Sequence, residues 1–338
     1  MLAQRRYPIR EPSDVGEARR AAMGLAAELG LDETERGRIA LVVTEAGTNV
    51  LKHGDGGEIV LGRPADSAGA EIEVLAIDRG PGMEDLGKSL RDGYSTSGSP
   101  GTGLGAIGRL SSEFDIYTLP GAGTVVLARV RARKAELPES GRRLSLGVIG
   151  LPIVGERVSG DAWAAADSKE RSVLMVVDGL GHGVLAATAA RAAVRAFHQN
   201  VGASSERLVA ALHEALRGTR GGAVAIVDVR WPDRHLEFAG VGNVSAGFYT
   251  PRGSRSFVSL SGTLGVEIRR VQAFDYEWSP DGVLVVHSDG LGTRWEMSSY
   301  PGLLSRDPSV IAAVLYRDHV RRRDDVTVLV ARERPARP

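Results

Sequence analysis

Cysteine is absent from all 338 residues of the chain. Disulfides, zinc–thiolate sites and thiol catalysis are thereby excluded, and a reducing compartment is expected. An excess of either charge is also missing: 42 basic and 42 acidic residues leave a formal net charge of +0. There is therefore no electrostatic case for binding nucleic acid or an anionic membrane. Nearly all of the basic residues are arginine, which reads as a coding bias and not as a site. No long apolar run occurs. The longest, around Leu144–Val154, is too short and too broken by glycine and proline to span a bilayer. The basic N-terminus is not followed by an apolar h-region, so no secretory signal is visible. Repeats and low-complexity tracts are likewise missing. These absences predict a soluble, cytoplasmic protein.

What is present is ordinary globular composition, 43% hydrophobic and 25% charged, in a length that predicts two domains. In the N-terminal part, Ser13 can cap a helix over 14–29 that stops at Gly30. Asp32 with Glu35 forms a capping box for a second helix running to about Lys52 and ended by Gly54. Strand-like runs follow at 58–62, 70–77 and 123–131, with a Gly/Ser-rich loop at 93–105 between them. The charged stretch at 131–143, with proline and glycine and no apolar period, reads as a linker. Beyond it short β-type runs recur at 146–154, 172–177, 222–230, 235–239, 256–260, 271–278, 282–287 and 326–331. Helical segments interrupt them near 183–199, 204–217 and 308–321. The fold class is α+β, with domains at 1–131 and 144–338 around a linker at 132–143.

Chemistry enters with "DRGPGM" at 78–83, where a buried strand runs into an acid and a Gly-Pro-Gly corner. Glycine and proline make the turn, but Asp78 needs a partner or a ligand to offset its desolvation. Upstream, "TEAGTNVLKHG" places Glu45, Asn49 and His53 at i, i+4 and i+8 on one helix face. Downstream, "YSTSGSPGTGLGAIGRL" leads Gly101, Thr102, Gly103, Leu104 and Gly105 into a helix, and amides at such a start are phosphate ligands. "GAGT" then makes a turn into a strand that can carry the Thr124 hydroxyl into the same pocket.

Taken together, these segments resemble the boxes of the GHKL ATPase/kinase superfamily over about residues 10–131. "DRGPGM", "DGYSTSGSPGTGLGAIGRL" and "GAGT" are most similar to RsbT-type serine-protein kinases. The resemblance implies a Bergerat α/β two-layer sandwich that binds ATP and Mg²⁺. It implies that Asp78 accepts the adenine amino group, with Gly80 and Gly82 letting the backbone approach the base. Asn49 would hold Mg²⁺, and Glu45 would orient or deprotonate the acceptor hydroxyl. His53 is read as structural. No upstream helix carries a phosphoacceptor histidine, which argues against a sensor histidine kinase.

The C-terminal part repeats a strand–acid pattern in "SGD" (159–161), "VVDGLGHG" (176–183), "HSDG" (287–290) and "RRRDDVTVLV" (321–330). One Asp-Gly is a turn, whereas four acids at strong strand edges point to convergence. Clustered carboxylates repel unless cations lie between them. Without cysteine or a histidine cluster the expected metal is Mg²⁺ or Mn²⁺, and two such ions suit phosphate-ester hydrolysis.

These motifs, with "AGVGN" at 239–243, resemble the SpoIIE/RsbX branch of the PPM-type metal-dependent protein phosphatases over about 144–331. The resemblance implies an α-β-β-α sandwich in which Asp161, Asp178 and the Gly179 carbonyl bind the metals, Asp178 being catalytic. Asp289 and Asp324 complete the set, with Asp325 as the fallback. Eukaryotic members carry their general-acid histidine two residues after the Asp-Gly aspartate, where this chain has Leu180. His182, slightly later, is read as serving the loop and helix start, and the general acid is left unassigned. The combined expectation is a partner-switching kinase–phosphatase acting on a STAS-domain anti-sigma-factor antagonist or stressosome protein, with a sigma factor as a further partner. Alternatives are a phosphatase governed by a nucleotide-sensing GHKL domain, or an anti-sigma-factor binding module. Oligomeric state is not legible in the sequence.

Overall fold

The computed structural model describes residues 4–67, 69–89, 103–132 and 142–334. The chain forms two compact units, one of Met1–Glu139 with Ser309–Arg317, the other of Ser140–Pro308 with Asp318–Pro338. Among the described residues no helix is long and apolar enough to cross a membrane.

The first unit runs β1 (Arg5–Ile9), α1 (Pro12–Glu28), α2 (Glu33–His53), β2 (Gly57–Gly62), β3 (Glu71–Asp78), α3 (Leu86–Ser89), α4 (Gly103–Leu110), β4 (Glu113–Thr118) and β5 (Thr124–Arg131). Its strands form one antiparallel sheet in the order β1-β2-β3-β5-β4. The expected Ser13 cap is not formed: Glu11 is the N-cap of α1, reciprocally bonded with Asp14, because Pro12 already supplies the helical φ of the first position. Ser13 instead donates its hydroxyl to Glu11. The Asp32/Glu35 box is present at 2.8 Å in both directions. Strands β1 and β4 went unread because "RRYPI" and "EFDIYT" lack the apolar density of β3 and β5.

One sheet face, with Ile72, Val74, Ala76, Val126 and Ala128, packs into a core with Ala18, Ala22, Val42, Val43 and Ala46 of α1 and α2. The opposite face is buried too, and carries charge. Arg129 lies across from Glu73 in the β3–β5 register and bonds it at 2.8–2.9 Å. Both share the Ser309 hydroxyl, which donates to Glu73 Oε2 at 2.8 Å and accepts from Arg129 at 3.0 Å. Ser309 opens a run, through Arg317, of uniformly buried residues in α7 (Pro308–His319), and Tyr316 accepts a hydrogen bond from Arg6. This stretch thus belongs with the first unit, although the sequence reading kept all of 144–338 together. A helix apolar all round must be covered all round.

The second unit contains β6 (Leu144–Leu151), β7 (Asp161–Asp167), β8 (Arg171–Gly179), α5 (Gly183–Asn200), α6 (Ser205–Leu216), β9 (Gly222–Arg230), β10 (His235–Val241), β11 (Ser245–Thr250), β12 (Gly253–Ser256), β13 (Ser259–Leu260), β14 (Gly262–Thr263), β15 (Glu267–Ile268), β16 (Phe274–Glu277), β17 (Val283–His287) and β18 (Val326–Glu333). One sheet runs β13-β10-β9-β8-β7 with β16 on β10, and the other runs β12-β11-β17-β18-β6. Alanine-rich α5 and amphipathic α6 cover the first sheet through Ala190, Ala193, Phe197, Leu208 and Leu212. The runs expected at 256–260 and 271–278 shrink to short β13 and β16, and β11 was unread because "SAGFYT" is small and polar.

Candidate functional sites

Strand β3 ends on Asp78 at the centre of the first sheet. Asp78 Oδ1 accepts from the amides of Gly80 at 2.9 Å and Thr124 at 3.1 Å, joining the β3 end to the β5 start. Burial pushes its carboxyl above the usual range, and those two amides pull it back. With Oδ1 engaged, Oδ2 carries no described hydrogen bond and is the carboxylate oxygen open to a ligand. The corner that follows needs glycine: a Cβ on Gly80 would lie 2.2 Å from the His53 carbonyl, and one on Gly82, at φ +68°, 2.0 Å from the Leu119 carbonyl.

Glu45 and Asn49 face the start of α4. A Cβ on Gly103 would stand 3.1 Å from Asn49 Oδ1 and 3.5 Å from Glu45 Oε2, so the helix start approaches both side chains without intervening atoms. Leu104 packs against the core, and Gly105 continues the helix. Gly101 and Thr102 lie outside the described residues. Thr124 differs from expectation. Its hydroxyl is 3.1 Å from Thr118 Oγ1 and nearly buried, so its amide, and not its hydroxyl, serves the site.

In the second unit, Asp161 and Asp178 are register partners on β7 and β8, which puts both side chains on one sheet face. Gly179 makes the close approach possible: its amide donates to the Gly160 carbonyl at 3.1 Å, and a Cβ there would meet that carbonyl at 2.9 Å. Asp289 follows β17, and Asp324 precedes β18. Burial, then the charge of Asp178, raises Asp161 well above the usual range. Burial, then the charges of Asp289, Asp324 and Asp325, pushes Asp178 up to about 7. Burial and Asp324 raise Asp289. An all-oxygen set of carboxylates with the Gly179 carbonyl fits Mg²⁺ or Mn²⁺.

Asp325 has other work. Its two oxygens accept from Ile153 N at 2.7 Å and Gly160 N at 2.5 Å, so it ties down the segment before β7, while Asp324 Oδ1 accepts from the Asp325 amide at 2.9 Å. Two positioning groups were not singled out from sequence. Ser288, fully buried, donates to Asp161 Oδ2 at 2.6 Å and accepts from Thr327 N at 2.9 Å. Asn243, in the quoted "AGVGN", donates to Asp289 Oδ2 at 2.6 Å. A serine before Asp-Gly and an asparagine after a glycine are ordinary turn residues, so only the fold reveals these pairings.

Among the described residues, the tightest ligand trio lies elsewhere: His235, Glu237 and Asp275 keep their donor atoms within 4.8 Å. There Arg230 already neutralises Glu237 Oε1 at 2.6 Å and Ser205 donates to Oε2, so it is a surface ion-pair cluster. Asp161, Asp178, Asp289 and Asp324 form no such trio among the described residues. Of the nine exposed large hydrophobics described, Val154, Val158, Leu180, Val184 and Leu185 lie within seven residues of Asp161 or Asp178 along the chain.

Known proteins show the same two parts. The model for histidine kinase-like ATPase domains matches residues 10–130, and that for stage II sporulation protein E matches 168–334. Serine/threonine-protein kinase RsbT of Bacillus subtilis (strain 168) is 34% identical over 115 residues, covering 34% of this chain and 86% of the relative. Phosphoserine phosphatase RsbX of the same organism is 26% identical over 140 residues, 40% of this chain and 69% of the relative. A structure from "The bacterial stressosome: a modular system that has been adapted to control secondary messenger signaling" superposes with TM-score 0.53 at 26% identity, covering 56% of this chain and all of its own. RsbX in complex with magnesium shares the fold, with TM-score 0.50 at 21% identity over 58% of this chain and 98% of its own. The chain belongs to the RsbT-type family of histidine kinase-like ATPase domains, and joins to that domain a SpoIIE-type protein phosphatase domain.

Proposed function

We propose that the protein both phosphorylates and dephosphorylates a STAS-domain partner, an anti-sigma-factor antagonist or stressosome component. The kinase reading rests on Glu45 and Asn49 standing together at the Gly103 helix start. Asn49 would hold Mg²⁺, amides at 103–105 would receive the phosphates of ATP, and Asp78 Oδ2 would accept from the adenine amine. Glu45 would orient or deprotonate the acceptor hydroxyl, the one carboxylate that a positioning-driven phosphoryl transfer requires. In the second unit Asp161, Asp178, Gly179, Asp289 and Asp324 would hold two Mn²⁺ or Mg²⁺ ions, which supply an activated water and charge neutralisation for ester hydrolysis. The single observation that carries the phosphatase reading is the pairing of Asp161 with Asp178 on one sheet face, with Asp289 just after β17 and Asp324 just before β18.

The test is paired. The full chain should transfer phosphate from Mg·ATP to its STAS partner. Glu45→Ala should bind ATP with unchanged affinity and transfer none. Phospho-STAS protein and p-nitrophenyl phosphate should be hydrolysed with Mn²⁺ and not with chelator. Failure of transfer by the wild type would leave a nucleotide-sensing first domain, and hydrolysis that persists in chelator would overturn the two-metal reading.

A further inference from the structure

Helix α4 has only eight residues, too few to hold a helical conformation by its own backbone bonds. Its C-terminal carbonyls also lack partners within the helix. The residue that follows meets one of them: Ser111 donates its amide at 3.1 Å and its hydroxyl at 2.7 Å to the Ile107 carbonyl. The Leu110 carbonyl is met from 72 residues upstream, by Arg38 of α2, which donates Nε–H at 3.2 Å and Nη2–H at 2.5 Å. A guanidinium at that end also suits the helix dipole, which is negative there. Ile107 is fully buried, and Leu104 and Leu110 pack against the same core. Those apolar contacts hold α4 against its neighbours but are non-directional, whereas the two hydrogen bonds fix its position along its own axis.

The same helix α2 also meets the other end of α4. Arg38, Glu45 and Asn49 stand at i, i+7 and i+11, which puts all three on one face of α2. Arg38 meets the last carbonyl of α4, while Glu45 and Asn49 meet Gly103 at its start. The two helices therefore run antiparallel, and α2 grips α4 at both ends. The rise from Arg38 to Asn49 is about 16 Å and that from Gly103 to Leu110 about 10 Å, a difference that the reach of an arginine covers. We infer that Arg38 is a positioning residue of the nucleotide site, an assignment that rests on the nucleotide reading above. It sets the axial position of α4, and with it the distance of the amides at 103–105 from Asn49 and Glu45. Arg38 stands at the opposite end of α4 from Gly103 and acts through the helix. Asp78 is independent of it, because that carboxylate is held by the amides of Gly80 and Thr124. A displaced α4 thus divides the ligand in two: the phosphates lose their amides, and the adenine keeps its acceptor.

The full chain is titrated with Mg·ATP by calorimetry and with adenosine by NMR. Arg38→Met keeps the apolar stem of the side chain and removes both donors. It should lower Mg·ATP affinity by about tenfold, as the loss of a charge-assisted hydrogen bond does, and leave adenosine affinity within about twofold of wild type. Hydrogen exchange should rise in peptides covering 103–110 and stay at the wild-type level in those covering β3 and β5. Arg38→Lys keeps a donor but not the planar fork, so its Mg·ATP affinity should fall between those of Arg38→Met and wild type. The lysine variant also carries the test on its own if Arg38→Met does not fold. An equal fall for adenosine and Mg·ATP, an exchange increase spread over the whole sheet, or unchanged Mg·ATP affinity overturns the assignment. A wild type that binds no Mg·ATP overturns the nucleotide reading itself, and this assignment with it.

Discussion

Asp78 and Asp178 stand at the ends of similar strands, and their surroundings treat them in opposite ways. Asp78 is a single carboxylate whose burial raises it above the usual range against the pull of two backbone amides, with no other acid among the causes. Asp178 shares its face with Asp161 and feels the charges of Asp289, Asp324 and Asp325, so the second site is repulsive as it stands. Exposed apolar residues also divide unevenly: of the nine large ones described, seven lie in the second unit, and Met23 and Leu41 in the first.

The same substitution at the two positions breaks this contrast most sharply. Asp178→Asn should abolish Mn²⁺-dependent hydrolysis and the rise in thermal midpoint that Mn²⁺ gives the wild type. Read by activity assay and by thermal melts with and without Mn²⁺, retention of either effect would remove Asp178 from the metal set. Next in size is the pH dependence of the metal-free protein. A carboxyl raised from 3.8 to about 7 favours folding fully below about pH 4, and that contribution is lost as pH rises through about 7. Urea titrations should therefore show metal-free stability falling across that window, less so in Asp178→Asn, and little at saturating Mn²⁺.

Smaller effects sharpen the comparison. Asp78→Asn should lower ATP affinity by about tenfold or more, since losing a charged hydrogen bond costs roughly 1.5–3 kcal/mol. Calorimetric titration showing unchanged binding would remove the adenine assignment. Ser288→Ala, which frees Asp161 from its only described hydroxyl donor, should weaken Mn²⁺ by about tenfold, at the low end for a group that orients a metal ligand. An unaltered Mn²⁺ isotherm would reduce Ser288 to a packing residue.

Much of this was legible in the residues because apolar runs ended on punctuation. β3, β8, β17 and β18 are dense in Val, Ile and Leu, and the acids at their ends are the ones the fold assembles. Capping chemistry was legible where side chains compete alone, as at Asp32, and misleading at Ser13, where Pro12 shifts the start by one residue. What stayed hidden depends on contacts distant in sequence. Asp325 is set apart from Asp324 by the amides of Ile153 and Gly160, more than 160 residues away. Glu156 reads as a loop acid until His182 is placed against it. Thr124 appeared to offer a hydroxyl, which Thr118 takes.

The membership of Ser309–Arg317 in the first unit also sets a schedule for synthesis. Residues that make the five-stranded sheet leave the ribosome early, but the helix that satisfies Glu73 and Arg129 through Ser309 is translated only after β17. Until then, the charged outer face of that sheet lacks its own covering segment, and the unit waits on a contact of very large sequence separation. The first unit's sheet is thus completed only once most of the second unit's strands already exist.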